Sequence, residues 1–114
     1  MLRKKIWLLC EAFTLVGDRT TVGDSLTPWA GVYPDRRTCM GALEQAVRTR
    51  VEENLEGSDP DPDEIDILVD EVMSHAVDYG HQSRRYTYSC EDREVVWRVY
   101  PVTFDFPVKE APRT

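Results

Sequence analysis

The residues best suited to chemistry are few and scattered. His75, His81 and Cys90 are the ligand-type side chains nearest one another, at spacings of six and nine residues, and no zinc-binding pattern uses those intervals. They read as a helix-flank histidine, a turn histidine and an unligated cysteine. Asp59, Asp61 and Asp63 alternate as in a calcium loop, but prolines at 60 and 62, and Glu64 where the sharp-turn glycine belongs, break that pattern. Cys39 falls near the start of a helix, where the dipole can lower a thiol pKa and create a nucleophile. Its place on that helix's apolar face makes it a buried structural thiol instead. Carboxylate pairs for acid-base catalysis need a dry pocket that drives their pKa values apart, and a solvated acidic run supplies none. No catalytic residue, cofactor or metal site is expected, and the chain is read as a non-enzymatic protein.

Acidity is what this chain concentrates. Between Glu52 and Glu71 stand ten acids and no Lys or Arg, which leaves 11 of the 21 acids to face all 14 bases elsewhere. The net charge of −7 disfavours direct binding to nucleic acid or to an anionic membrane, since both need positive charge facing phosphates. A protein with a basic surface is the expected partner. At 100° per residue along a helix, Asp63, Asp66, Asp70, Glu71 and Asp78 spread around a face with Ile67 near its middle, far from Leu68 and Val72. An exposed isoleucine ringed by carboxylates has the form of an interface anchor with a charged rim. The expected partner-binding set is therefore Glu52, Glu53, Glu56, Asp59, Asp61, Asp63, Asp66, Ile67, Asp70 and Glu71. The alternative is a helix face kept charged for solubility alone.

A second set points to different chemistry. Arg84, Arg85, Arg93 and Arg98 interleave with Tyr86, Tyr88, Trp97 and Tyr100, and on an open sheet face such residues stack bases and hold phosphates. No RNP-type motif accompanies them and the net charge opposes the reading. An ordinary hairpin is expected, with one face in the core and a charged outer face.

The elements that position these residues follow from hydrophobic period. Lys4 to Val16 alternates with both sides mostly apolar, the mark of a central strand. The charged start and the run Ile6 to Cys10 resemble the opening of an export signal, but Glu11 ends the run after five residues, too short for a signal or a span. A polar loop over 17–25 leads through Leu26 to Trp29 to a short strand, Ala30 to Tyr33, that stops at Pro34. From Thr38 the period becomes helical: Cys39, Met40, Leu43, Ala46, Val47 and Val51 share a face, Glu44 and Arg48 form an i, i+4 pair, and Asp35 or Thr38 caps the start. Gly57 and Ser58 end it. Asp61 as N-cap, Pro62 at the first helical position and Glu64 closing a capping box open a second helix. Its stripe is Ile65, Leu68, Val69, Val72, Ala76 and Tyr79, with Gly80 as the stop. Arg84 to Cys90 and Glu94 to Phe104 read as a hairpin turning at 91–93, in which Pro101 marks an edge, a bulge or the end of the strand.

At 114 residues, 41% hydrophobic and 31% charged, the chain fits one domain able to bury roughly two thirds of its unfolded surface. The expected architecture is α+β: an antiparallel sheet, element order β-β-α-α-β-β, with both helices on one face. Residues 1–106 form the domain and 107–114 an extended tail, fraying from Asp105. Three cysteines without a C-x-x-C pair indicate a reducing, cytoplasmic setting rather than a disulfide framework. In size and charge the chain resembles the small acidic inhibitors that phages and mobile elements direct at host nucleases, anti-CRISPR proteins among them. That resemblance implies a blocker of a nucleic-acid-binding protein, its carboxylates standing where phosphates would lie.

Overall fold

The two longest β-branched and aromatic runs, near the two ends of the chain, find each other. In the computed structural model, which describes residues 2–15, 29–90 and 93–106, strands β1 (Leu2–Leu15) and β5 (Arg93–Phe106) pair antiparallel along their whole length, from Leu2 opposite Phe106 to Leu15 opposite Arg93. β2 (Trp29–Tyr33) lies outside β1, while β4 (Arg84–Ser89) and the two-residue β3 (Val77–Asp78) lie outside β5. The sheet order is β2-β1-β5-β4-β3 with every pairing antiparallel. β1 is central, as its two apolar sides require. Close approach explains Gly31: any Cβ there would sit 2.6 Å from the Tyr33 hydroxyl, whose ring lies across it.

Helices α1 (Arg36–Asn54) and α2 (Pro62–Ser74) connect β2 to β3. Asp35 caps α1 by accepting from the Thr38 N–H at 2.7 Å, and Cys39, Leu43, Val47 and Val51 form its buried line. Glu44 stays near Arg48 as expected, and Arg48 also bridges the two helices, Nη1 to Asp66 Oδ1 at 2.8 Å. Asp61 caps α2 by accepting from Asp63 N–H at 3.1 Å, with Pro62 in the first turn. Among the described residues Glu64 makes no return bond, so the capping box is half formed. Asp61→Ala is expected to cost about 1 kcal/mol, read as a lower midpoint with unchanged slope in a urea melt; an unchanged midpoint would show the cap to be idle.

Two expectations on α2 are corrected. It stops at Ser74, not Gly80, and Tyr79 lies outside it with half its surface exposed. The local cause is competition for one carbonyl: His75 Nδ1 and Ser74 Oγ both hydrogen-bond to Glu71 O, at 2.6 and 3.1 Å, a side-chain substitute for continuing the helix. Val77 and Asp78 then pair with Arg85 and Arg84. The reversal into β4 passes through three consecutive left-handed residues, Gly80, His81 and Gln82, and the Asp78 carboxylate accepts from Gly80 N–H at 2.8 Å.

Pro101 does not end its strand. β4 pairs with β5 only as far as Val99, so Pro101 lies where that side of β5 is an edge and no ladder donor is missed there. Asp105 does not fray either: it pairs opposite Arg3, bridged to its Nε at 2.9 Å. The loop expected over 17–25 and the tail at 107–114 lie outside the described residues.

One face of the sheet supplies the core. Trp7, Leu9 and Glu11 of β1, Tyr86 and Tyr88 of β4, and Val95, Trp97 and Val99 of β5 are buried, and the register puts all of them on the same side. Their apolar members form one cluster with Cys39, Leu43, Val47 and Val51 of α1 and Val69 and Val72 of α2. On the opposite side stand Lys4, Ile6, Leu8, Cys10, Arg85, Thr87, Val96, Arg98, Tyr100 and Val102, none of them buried; among the described residues no helix or strand covers that side. No described helix is long and apolar enough to cross a membrane.

Candidate functional site

The ten expected docking residues are all exposed and fall in two groups. Glu52 and Glu53 close α1, Glu56 follows its C-cap Leu55, and Asp59 and Asp61 stand in the connection. Asp63, Asp66, Ile67, Asp70 and Glu71 line the outer side of α2, where Ile67 keeps 65% of its surface in solvent. The isoleucine expected at the centre of the carboxylate face is there. Asp78, assigned to that face by helical spacing, belongs to β3 and drops out of it.

Ion pairing thins this set only slightly. Asp66 is bound by Arg48, and Glu53 by Arg50 Nη1 at 3.2 Å. Arg48 sits near Asp66, Glu44 and Glu52; its bond to Asp66 first, then those charges, hold its pKa above the ordinary value. Asp61 spends an oxygen on its cap. Glu56, Asp59, Asp63, Asp70 and Glu71 have no cationic partner among the described residues, and Glu52 lies near Arg48 without a bond to it. Placement separates the groups energetically. Asp63 and Glu64 occupy the first turn of α2, where the dipole favours them. Glu52 and Glu53 occupy the last turn of α1, which has no basic residue, and there each acid costs about 0.3–1 kcal/mol. Glu52 and Glu56 also repel each other at i, i+4. Thr49, Glu52, Glu53 and Glu56 line a shallow concavity on this end.

A second polar feature lies under α1. Glu11, 9% exposed, accepts from the indole N–H of Trp97 at 2.7 Å with one oxygen, and from Arg50 Nε and Nη2 with the other. Arg50 in turn reaches Glu53. These bonds, Glu11 first, hold the guanidinium pKa above its ordinary value. The arrangement satisfies a carboxylate in the core and ties β1, β5 and α1 together.

The remaining candidates resolve by burial. Cys39 is fully buried, and burial pushes its thiol up to about 11, so it is no nucleophile at neutral pH. Cys10, Cys39 and Cys90 are free thiols. His75 caps α2 and His81 lies in the turn before β4. Among the described residues no group of three or more His, Cys, Asp or Glu stands close enough to hold a metal ion.

The terminal hairpin divides as its alternation dictates. Tyr86, Tyr88 and Trp97 point into the core, and the Tyr88 hydroxyl accepts from Asn54 Nδ2 at 2.9 Å. Arg85, Arg98 and Tyr100 stay on the open side, joined by Tyr79, which sequence spacing assigned to a buried helix stripe. Arg98 lies 5.7 Å from the Tyr79 ring and 5.8 Å from that of Tyr100, and Arg85 lies 5.7 Å from Tyr79. Tyr100 also contacts Cys10 Sγ at 3.7 Å; that contact, then burial, holds its phenol above the ordinary pKa.

Compared with protein-family models, with curated proteins and with solved structures, the chain shows no match.

Proposed function

We propose that the helical layer is a docking surface for a basic protein, and that the protein acts without catalysis, in a reducing cytosol, by covering a surface that otherwise holds DNA or RNA. The observation that carries the reading is Ile67, a large apolar side chain 65% exposed and surrounded by the carboxylates of Asp63, Asp70 and Glu71. An apolar anchor inside a charged rim is how interfaces concentrate their energy. The acids at the end of α1 add support. Glu52 and Glu56 crowd the negative pole of α1 at a cost in stability, an arrangement that a surface imitating spaced phosphates accounts for.

The test uses the whole protein immobilised in lysate. From nuclease-treated lysate, basic nucleic-acid-binding proteins should be retained, released as salt rises, and displaced by added double-stranded DNA. A triple reversal of Asp63, Asp70 and Glu71 to Lys should abolish capture, chiefly through a slower on-rate; Asp66 is left intact because it anchors Arg48. Ile67→Ala should speed dissociation of the captured protein and raise its Kd by about 5- to 150-fold, the range of a 1–3 kcal/mol anchor. Capture of the same proteins by the triple variant would end this reading.

A further inference from the structure

The open side of the sheet contains an arrangement that folding alone does not favour. Arg85 of β4 and Arg98 of β5 are directly opposite cross-strand neighbours, and like charges in that position destabilise a sheet. Among the described residues neither forms an ion pair. The Arg85 Nε is buried and has no hydrogen-bond partner there, a position that costs free energy unless an acceptor arrives. Tyr79 lies within 5.7 Å of both guanidinium groups, and Arg98 is shared between Tyr79 and Tyr100. Tyr79 is 50% exposed, and Phe104, further along β5 on the same side, is 41% exposed.

Charge says what this side accepts. By register it carries Lys4, Arg85 and Arg98 against Glu94 as its described acid. A second copy laid on it about a two-fold axis would press arginines on arginines, so self-association is disfavoured. An anion with flat faces fits these features: an acceptor for the guanidinium whose Nε lacks one, negative charge between two cations, and rings to stack on the half-exposed Tyr79 and the partly exposed Tyr100. We propose that the open face of the sheet binds single-stranded nucleic acid, with a backbone phosphate held by Arg85 and Arg98 and bases stacked on Tyr79 and Tyr100.

The net charge of −7 does not oppose this. The acids of the docking surface belong to the helical layer on the far side of the sheet, and exposed charges separated by more than roughly 8 Å are largely screened at physiological salt. The two surfaces face opposite ways, and this inference stands independently of the docking reading.

The experiment is fluorescence anisotropy of the full chain with labelled 12-nucleotide single-stranded DNA and RNA. The wild type should bind, with log affinity falling against log salt. Arg85→Ala with Arg98→Ala should weaken binding at least tenfold and flatten the slope by about 0.7 for each phosphate no longer neutralised. Tyr100→Leu should weaken it about 5- to 100-fold with the slope unchanged, as loss of stacking requires. Removing the arginines relieves like-charge repulsion, so folding, followed by circular dichroism, should survive. Cys10 lies opposite Arg98, and in a Cys90→Ser variant bound oligonucleotide should slow its alkylation. The proposal falls if no oligonucleotide binds, if the double arginine variant binds equally, or if Cys10 is not protected. It falls equally if inorganic phosphate or a polyglutamate peptide competes as well as the oligonucleotide, which would mark an anion or acidic-protein site. Loss of binding in the Asp63, Asp70 and Glu71 reversal, with the arginine variant unaffected, would move the activity to the helical layer.

Discussion

Replacing Glu11 by Ala is expected to remove about 3 kcal/mol of folding stability. The carboxylate is almost fully buried and accepts from Trp97 on one oxygen and Arg50 on the other. Its loss leaves the buried indole N–H without an acceptor, a desolvation cost of about 1–3 kcal/mol. It also leaves Arg50 facing the core unpaired. Breaking a fully buried ion pair from one side costs about 3–5 kcal/mol, and because Arg50 keeps 32% of its side chain in water the lower end applies. Glu11→Gln keeps an acceptor for Trp97 and should cost about half as much. Trp97→Phe combined with Glu11→Ala should lose less than the two single changes together, since the second change removes the donor that the first one stranded. Urea melts of the four proteins decide it. A loss below about 0.5 kcal/mol for Glu11→Ala would mean that water replaces the carboxylate.

Glu11 has a role that its local sequence does not carry. By sequence alone it is the residue that ends the run Ile6 to Cys10, because nothing local says that Trp97, 86 positions away, supplies a donor. Long-range register is needed, and register appears only once β1 and β5 are paired. What depended on local period alone was legible: the central position of β1, the face of α1 through Cys39, Leu43, Val47 and Val51, and the caps at Asp35 and Asp61. What failed was local competition. Helical spacing carried α2 on through Ala76 to Tyr79, while Ser74 and His75 closed it by bonding to Glu71 O. That error placed Tyr79 in the core and Asp78 on the acidic face. The acidic face itself was readable, and so was Ile67, because exposure on a helix follows from angle. The Arg85–Arg98 opposition was not, since it arises from the offset between two strands.

Two truncations of similar size should behave as opposites, and together they test the layered arrangement. Leu43 of α1 is fully buried against the sheet, so Leu43→Ala removes three methyl or methylene-sized groups and leaves a cavity between two elements that cannot close on it freely. The expected loss is about 2–5 kcal/mol, which at roughly 4 °C per kcal/mol for a domain of this size lowers Tm by about 8–20 °C. Ile67→Ala on α2 removes a comparable volume from a side chain 65% exposed and should change stability by no more than about 0.5 kcal/mol. Its effect belongs to binding. Thermal melts of the two variants, read beside their capture of a basic partner, separate the roles: Leu43→Ala should lose stability, and retain capture wherever it is folded, while Ile67→Ala should do the reverse. If Ile67→Ala melted as early as Leu43→Ala, the isoleucine would be a packing residue and the helical layer would lose its anchor.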